Sequence, residues 1–266
     1  PEQHALGGYT TWPARTAGLE VNAEPRIVKA TLKLLERASG LSKKKYTEPL
    51  SPYARVVMAS RPVAYWRLGE QAGSIAVDAT GNGHDANYKS GIAFHLPGYG
   101  EPAAGEAHAS RAAHFAGGRV VAEVPAAEAF TVEFWLWNGA IKSQHGRDTC
   151  VSELAGLHLR IFEVTNVDEP VLTIVPGRVG RATVAPRQWH HVAVVARSGN
   201  HQLWLNGVKH LDEKREPKLN ESTRTMKLVL GGSEDGIIDF AGKLDEIAYF
   251  DRVLTAEEIQ THAGKN

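Results

Sequence analysis

Gly242-Lys243-Leu244-Asp245-Glu246-Ile247-Ala248-Tyr249-Phe250-Asp251-Arg252-Val253-Leu254-Thr255-Ala256-Glu257-Glu258-Ile259 reads as a strand running into a capped helix. Leu244, Ile247 and Tyr249-Phe250 supply the apolar strand positions around a carboxylate pair, Asp245-Glu246. Neighbouring strand positions face opposite sides, so these two carboxylates are expected on opposite faces of a sheet. Thr255, followed three residues later by Glu258, makes a capping box, and Leu254 with Ile259 a hydrophobic staple.

Working outward, the same alternation recurs upstream. Pro62 to Leu68, Ala113 to Phe115, Arg119 to Val124, Phe130 to Trp137 and Val151 to Phe162 read as short strands. Val171 to Val175, Trp189 to Ala196, Gln202 to Asn206 and Lys227 to Leu230 continue the series. Asn206-Gly207 between apolar runs is a two-residue hairpin signal. Short strands, glycine-rich turns and little helix predict an all-β, two-sheet antiparallel jelly-roll sandwich with a short C-terminal helix.

Residues 1–60 differ in character and are expected to form an N-terminal extension, with the β domain over 61–266. Ile27, Val28, Thr31, Leu32, Leu35 and Ala38 fall at helical spacing, which predicts an amphipathic helix over about 25–39. Ser42-Lys43-Lys44-Lys45-Tyr46 and the prolines Pro49 and Pro52 then read as a linker. The chain starts at Pro1 rather than Met, so it is expected to be part of a longer or processed polypeptide whose targeting segment lies outside it.

Of 266 residues, 30 are Lys or Arg and 30 are Asp or Glu, so the formal net charge is zero. Nothing in that balance calls for nucleic acid or an anionic membrane. No apolar run reaches the roughly 18–20 residues that span a bilayer. The single cysteine, Cys150, excludes an intrachain disulfide and reads as a buried structural thiol. The twelve histidines show no zinc spacing, and adjacent His190 and His191 point to opposite faces of one strand.

Four segments, taken in order, resemble the laminin-G-like and pentraxin-like jelly rolls of the concanavalin A-like lectin/glucanase superfamily. They are Val63-Ala64-Tyr65-Trp66-Arg67-Leu68-Gly69-Glu70 with the Asp78–Asp85 loop, Phe130–Trp137, Gln188–Val195 leading into Leu203–Gly207, and the stretch quoted first. The resemblance covers residues 62–263. It implies a concanavalin A-like sandwich, in which Trp189 and Trp204 occupy core-like positions. It also implies one structural Ca²⁺ at the sandwich rim, with Asp78 and Asp245 as carboxylate ligands and Gly81 or Asn82 as carbonyl donors. The alternative for the Asp78 loop is an Asx-type turn without metal.

In Phe130–Trp137, Phe130, Val132, Phe134 and Leu136 face one way and Thr131, Glu133, Trp135 and Trp137 the other. Glu133, Trp135 and Trp137 are thus candidate sugar contacts on a concave sheet face; the alternative is that loops or the N-terminal segment cover them. The Glu-x-Asp-x-x-Glu strand of glucan hydrolases is absent, as are a Gly-x-Ser-x-Gly elbow and a phosphate loop. The expectation is therefore a non-catalytic, lectin-like accessory domain that binds a glycan or glycoprotein in an extracellular, periplasmic or cell-surface setting. The competing expectations are a structural or protein-interaction subunit docking through residues 1–60, and a glycan-active hydrolase or lyase.

Overall fold

The strand Ala129–Asn138 lies at the middle of one sheet with its core face as the alternation requires: Phe130, Val132, Phe134 and Leu136 are buried in one apolar cluster. The structure is a computed structural model that describes residues 50–100, 110–139, 148–162, 169–176, 182–197, 199–214 and 224–265. All of them fall in one unit, Thr47–Asn266. The helix expected over 25–39 lies outside the described residues.

Two antiparallel sheets form the sandwich. The front sheet runs β14 (Val208–Lys214), β13 (Asn200–Leu205), β12 (Trp189–Arg197), β7 (Ala129–Asn138), β16 (Ala241–Phe250), β5 (Arg111–Ala116) and β4 (Ile92–Pro97). β1 (Ala64–Trp66) also pairs with β16. The back sheet runs β11 (Ala182–Thr183), β10 (Val171–Val175), β9 (Leu157–Phe162), β8 (Asp148–Leu154), β15 (Thr225–Leu230), β6 (Val120–Pro125), β3 (Ala86–Tyr88) and β2 (Ile75–Ala76). Val120, Val124, Leu159, Leu172 and Leu228 of the back sheet meet the β7 residues across the interior. Each such side chain, once buried, contributes about 1.5–3 kcal/mol. The all-β sandwich expected from the strand pattern is the observed architecture.

The turn chemistry is also as expected. Asn206 and Gly207 both take positive φ, 50° and 74°, and join β13 to β14 with Leu205 opposite Val208. That is the two-residue hairpin whose twist matches its strands. Cys150 is buried, and burial pushes its thiol up to about 12.

The outer face of the front sheet carries a second apolar cluster and two helices. α1 (Pro52–Ala59) starts at the N-cap Ser51, whose side chain accepts from Ala54 N. Pro52, read above as linker, instead opens this helix, since its fixed φ and missing N–H suit a first turn. An eight-residue helix does not hold itself in water; Ala54 and Val57 hold it by packing beside Tyr65, Trp204, Phe250 and Leu254. α2 (Ala256–His262) has the full capping box, with Thr255 and Glu258 bonded reciprocally. Leu254 and Ile259, the staple pair, are both buried in the same cluster.

Candidate functional site

The register of β12, β7 and β16 lays the outer face out as four transverse rows. From the helix-covered end they are Val195–Thr131–Phe250, Ala193–Glu133–Ala248, His191–Trp135–Asp245 and Trp189–Trp137–Lys243. His114 of β5 extends the fourth row beyond Lys243. Glu133, Trp135 and Trp137 are therefore on one face, as their spacing requires, but they stand in three different environments.

Thr131 anchors the first row by donating to Arg252 O and accepting from Leu254 N, which fixes the chain where it leaves for α2. Glu133 sits fully buried in a well between two alanines. Its Oε1 is 2.7 Å from His262 Nδ1, and its Oε2 is 3.5 Å from His191 Nε2. His262 Nε2 lies 2.9 Å from Ser60 Oγ, at the end of α1. Sheet, α2 and α1 are thus joined through one carboxylate. Burial alone would raise the Glu133 carboxyl, but hydrogen bonding to His191 and His262 outweighs it and holds the group at about 2.

Trp135 is only 4% exposed. The Tyr99 ring stacks on it, with centroids 3.2 Å apart and planes 10° apart. Tyr53 of α1 and His191 meet its edges at 6.0 and 5.3 Å. Trp137 is half-buried, as is its cross-strand partner Trp189. Trp189 thus belongs to the outer face and not to the core position expected of it. Trp204 is buried, in the cluster beneath the helices, and its Nε1 donates to Gln202 Oε1.

Asp245 and Glu246 correct the alternation argument. Asp245 pairs with Trp135 and Ala248 with Glu133, so β16 spends one residue more than β7 between those points. Glu246 takes φ 53°, a left-handed conformation that costs a non-glycine residue about 1–3 kcal/mol. This β-bulge turns both carboxylates to the outer face. Asp245 Oδ2 accepts from Tyr99 N at 2.7 Å and Ser110 Oγ at 3.0 Å. Glu246 accepts from Tyr65 Oη and from Arg67 Nε at 3.3 Å. Burial first, and the charge of Glu246 second, push the Asp245 carboxyl well above its usual range. Both residues are closed off from solvent.

The residues expected to share a calcium ion do not form one oxygen cage. Asp78 Oδ1 accepts from Tyr65 N, Thr80 N and Thr80 Oγ1, and Oδ2 from His84 N. Gly81 N donates to Asp78 O, and Asn82 donates to Thr80 Oγ1 and Val63 O. This is the Asx-type turn, with Gly81 and Gly83 at positive φ. Donors surround the carboxylate where a cation needs oxygens. Asp245 takes its partners from Tyr99 and Ser110, not from this loop. Among the described residues no group of three or more His, Cys, Asp or Glu is arranged to hold a metal ion.

Sequence reasoning passed over the covering residues Tyr53, Tyr99, Ser60 and His262, and the row-four lysine, Lys243. Lys243 Nζ stands 4.8 Å from the Trp137 ring and 5.0 Å from the Trp189 ring, and it donates to Pro97 O at 2.8 Å. Alternation along β16 would have placed Lys243 outward. Its meeting with two tryptophans follows only from strand pairing.

A family model described as the concanavalin A-like lectin/glucanases superfamily matches residues 113–260. Among solved structures, domain 4 of AbnA, a GH43 extracellular arabinanase from Geobacillus stearothermophilus in complex with arabinotriose, is similar with a TM-score of 0.55 and 17% identity, over 76% of this chain and 98% of that one. Trypanosoma rangeli sialidase is similar with a TM-score of 0.53 and 14% identity, over 75% of this chain and 32% of that one. The binding domain of Paraclostridial Mosquitocidal Protein 1 follows with a TM-score of 0.52 and 12% identity, over 77% and 52%. The chain thus spans nearly all of the arabinanase domain but about a third of the sialidase and half of the toxin domain. At these identities the likeness is one of fold. No curated protein sequence matches the chain.

Proposed function

We propose that this chain, which belongs to the concanavalin A-like lectin/glucanase superfamily, is a non-catalytic carbohydrate-binding domain of a larger polypeptide, with its sugar held at the open end of the front sheet. One observation carries this reading. Trp137 and Trp189 are direct cross-strand partners on the outer face, and both are only half-buried. Apolar indole surface left accessible in a row is what a sugar ring stacks on.

The carboxylates support binding over hydrolysis. A retaining glycosidase needs two carboxyl groups about 5 Å apart, reaching its substrate. Glu133, Asp245 and Glu246 are all closed off, beneath α1, α2 and Tyr99. The arabinanase domain, whose length this chain nearly covers, was solved with arabinotriose bound, which agrees with a binding role for the scaffold. A setting outside the cytoplasm, as that extracellular enzyme has, goes with the same reading.

The test is a glycan array followed by titration calorimetry on the hits. Dissociation constants on the order of micromolar to millimolar are expected, together with loss of binding in Trp137→Ala and Trp189→Ala variants that still melt cooperatively. A flat array with wild-type protein overturns the proposal, as does turnover of any hit.

A further inference from the structure

Row four carries a cation in an unusual setting. The Lys243 ammonium stands near both indole rings, 4.8 Å from that of Trp137 and 5.0 Å from that of Trp189. An ammonium near such rings is attracted by their electron-rich faces, more as it loses water. It donates one hydrogen bond, to Pro97 O at 2.8 Å. A lysine has three donors, so two remain. Among the described residues no carboxylate pairs with it. Burial draws the Lys243 pKa down, so holding the charge here already has a cost.

Among the described residues only the buried Asp245 acts against that cost, and it does so less than burial. His114 is the next residue in the row, and burial followed by the charge of Lys243 lowers its pKa. Arg187 is exposed, and its backbone N–H bonds to Asn138 O, one residue past Trp137. The next outward carboxylate on β16, Asp245, is buried and turned to Tyr99 N and Ser110 Oγ. Among the described residues, two cations, Lys243 and Arg187, thus stand beside two half-buried tryptophans.

We infer that the sugar bound here is anionic, a glycan bearing a carboxylate or sulfate that takes the two free donors of Lys243 while its ring lies along Trp137 and Trp189. The inference rests on the carbohydrate-binding reading above and narrows it to a ligand class. The indoles and the Pro97 carbonyl hold the ammonium in place before the ligand arrives, so little side-chain freedom is lost on binding. The same preorganisation makes the site selective, since a neutral sugar leaves the half-desolvated ammonium unpaired.

Calorimetry with trigalacturonate, its methyl ester, and sulfated and unsulfated forms of one neutral oligosaccharide tests this. At least one anionic member should bind about tenfold or more tightly than its neutral counterpart, a difference of roughly 1.4 kcal/mol. Which pair shows it separates carboxylate from sulfate. Lys243→Met, which keeps an unbranched side chain without the charge, should bring the ratio to about one, and Lys243→Arg should preserve it. Equal affinity for every charged and neutral pair overturns the inference and leaves the carbohydrate reading standing. An anionic preference that persists in Lys243→Met overturns it as well. Failure of every glycan on the array overturns both.

Discussion

Asp245 and Glu246, consecutive residues of one strand, project from the same face of the sheet, and the Ser110 hydroxyl lies 3.0 Å from the first and 3.4 Å from the second. Two carboxyl groups brought this close and buried cannot both ionise at low cost. Arg67 and Tyr65 are committed to Glu246, so Asp245 bears the shift.

That asymmetry gives Asp245→Asn a pH signature. A carboxyl raised in the folded state binds its proton more tightly there than in the unfolded chain. Its contribution to stability is full below the unfolded value near ~3.9 and is lost as pH rises through the folded value. The Asn amide can keep one acceptor for Tyr99 and Ser110 and carries no charge. The variant is expected to melt about 2–4 °C above wild type at pH 8, the shift that roughly 1 kcal/mol produces in a domain this size. The gap should close toward pH 4. A variant that melts lower at every pH contradicts this.

Glu133 has the opposite sign. Its pKa of about 2 lies below the unfolded value, so its contribution is present above ~4.3 and lost as pH falls from there toward 2. Removing one partner from a buried charged network costs about 3–5 kcal/mol. Urea unfolding of Glu133→Gln should show a loss of that order at pH 7, shrinking with acid because the wild type weakens. Parallel pH profiles for the two proteins would show that Glu133 is not the titrating group.

Val57→Asp is expected to lift α1 from the sheet while the sandwich stays folded. Val57 packs in the cluster on the outer face, whereas the interior cluster is built from other residues. A charge cannot be buried there unpaired. Trp135 then loses Tyr53 from its edge, and acrylamide should quench tryptophan fluorescence more strongly than in wild type. Unchanged quenching would mean that α1 stays docked.

At the Asp78 turn, millimolar calcium should leave the melting temperature unchanged, because N–H and O–H donors already fill the carboxylate. Asp78→Asn removes the acceptor of His84 N and should cost about 1–3 kcal/mol with or without calcium. A calcium-dependent rise in wild type, abolished by Asp78→Asn, would restore the metal.

Where local chemistry decides the structure, the sequence was sufficient. The alternation in Phe130–Trp137, the Asn206-Gly207 turn and the Thr255–Glu258 capping box each appear as read. The bulge at Glu246 was not legible, because glutamate has no local preference for a left-handed conformation and the partners of its carboxylate, Tyr65 and Arg67, lie far away in the chain. Nor was the cover over Trp135, since Tyr53 and Tyr99 come from segments far from it in the chain. Trp137 and Trp135 look alike in sequence and differ only in what crosses above them. The same limit misplaced Trp189, whose neighbours Trp137 and Lys243 are set by pairing.

Among the described residues β1 takes its strand partner from β16, with Ala64 opposite Tyr249 and Trp66 opposite Ile247, beside a single bridge from Trp66 to Asp78. A ribosome releases these partners at opposite ends of the domain's synthesis. Tyr65 and Trp66, both fully buried in the finished molecule, therefore emerge early and wait for nearly the whole domain before they can be covered. Closure of such distant pairings is slow. A nascent chain stalled before Ala241 should accordingly stay open to protease and to chaperones that hold apolar segments, and one released after α2 should become resistant in a single step.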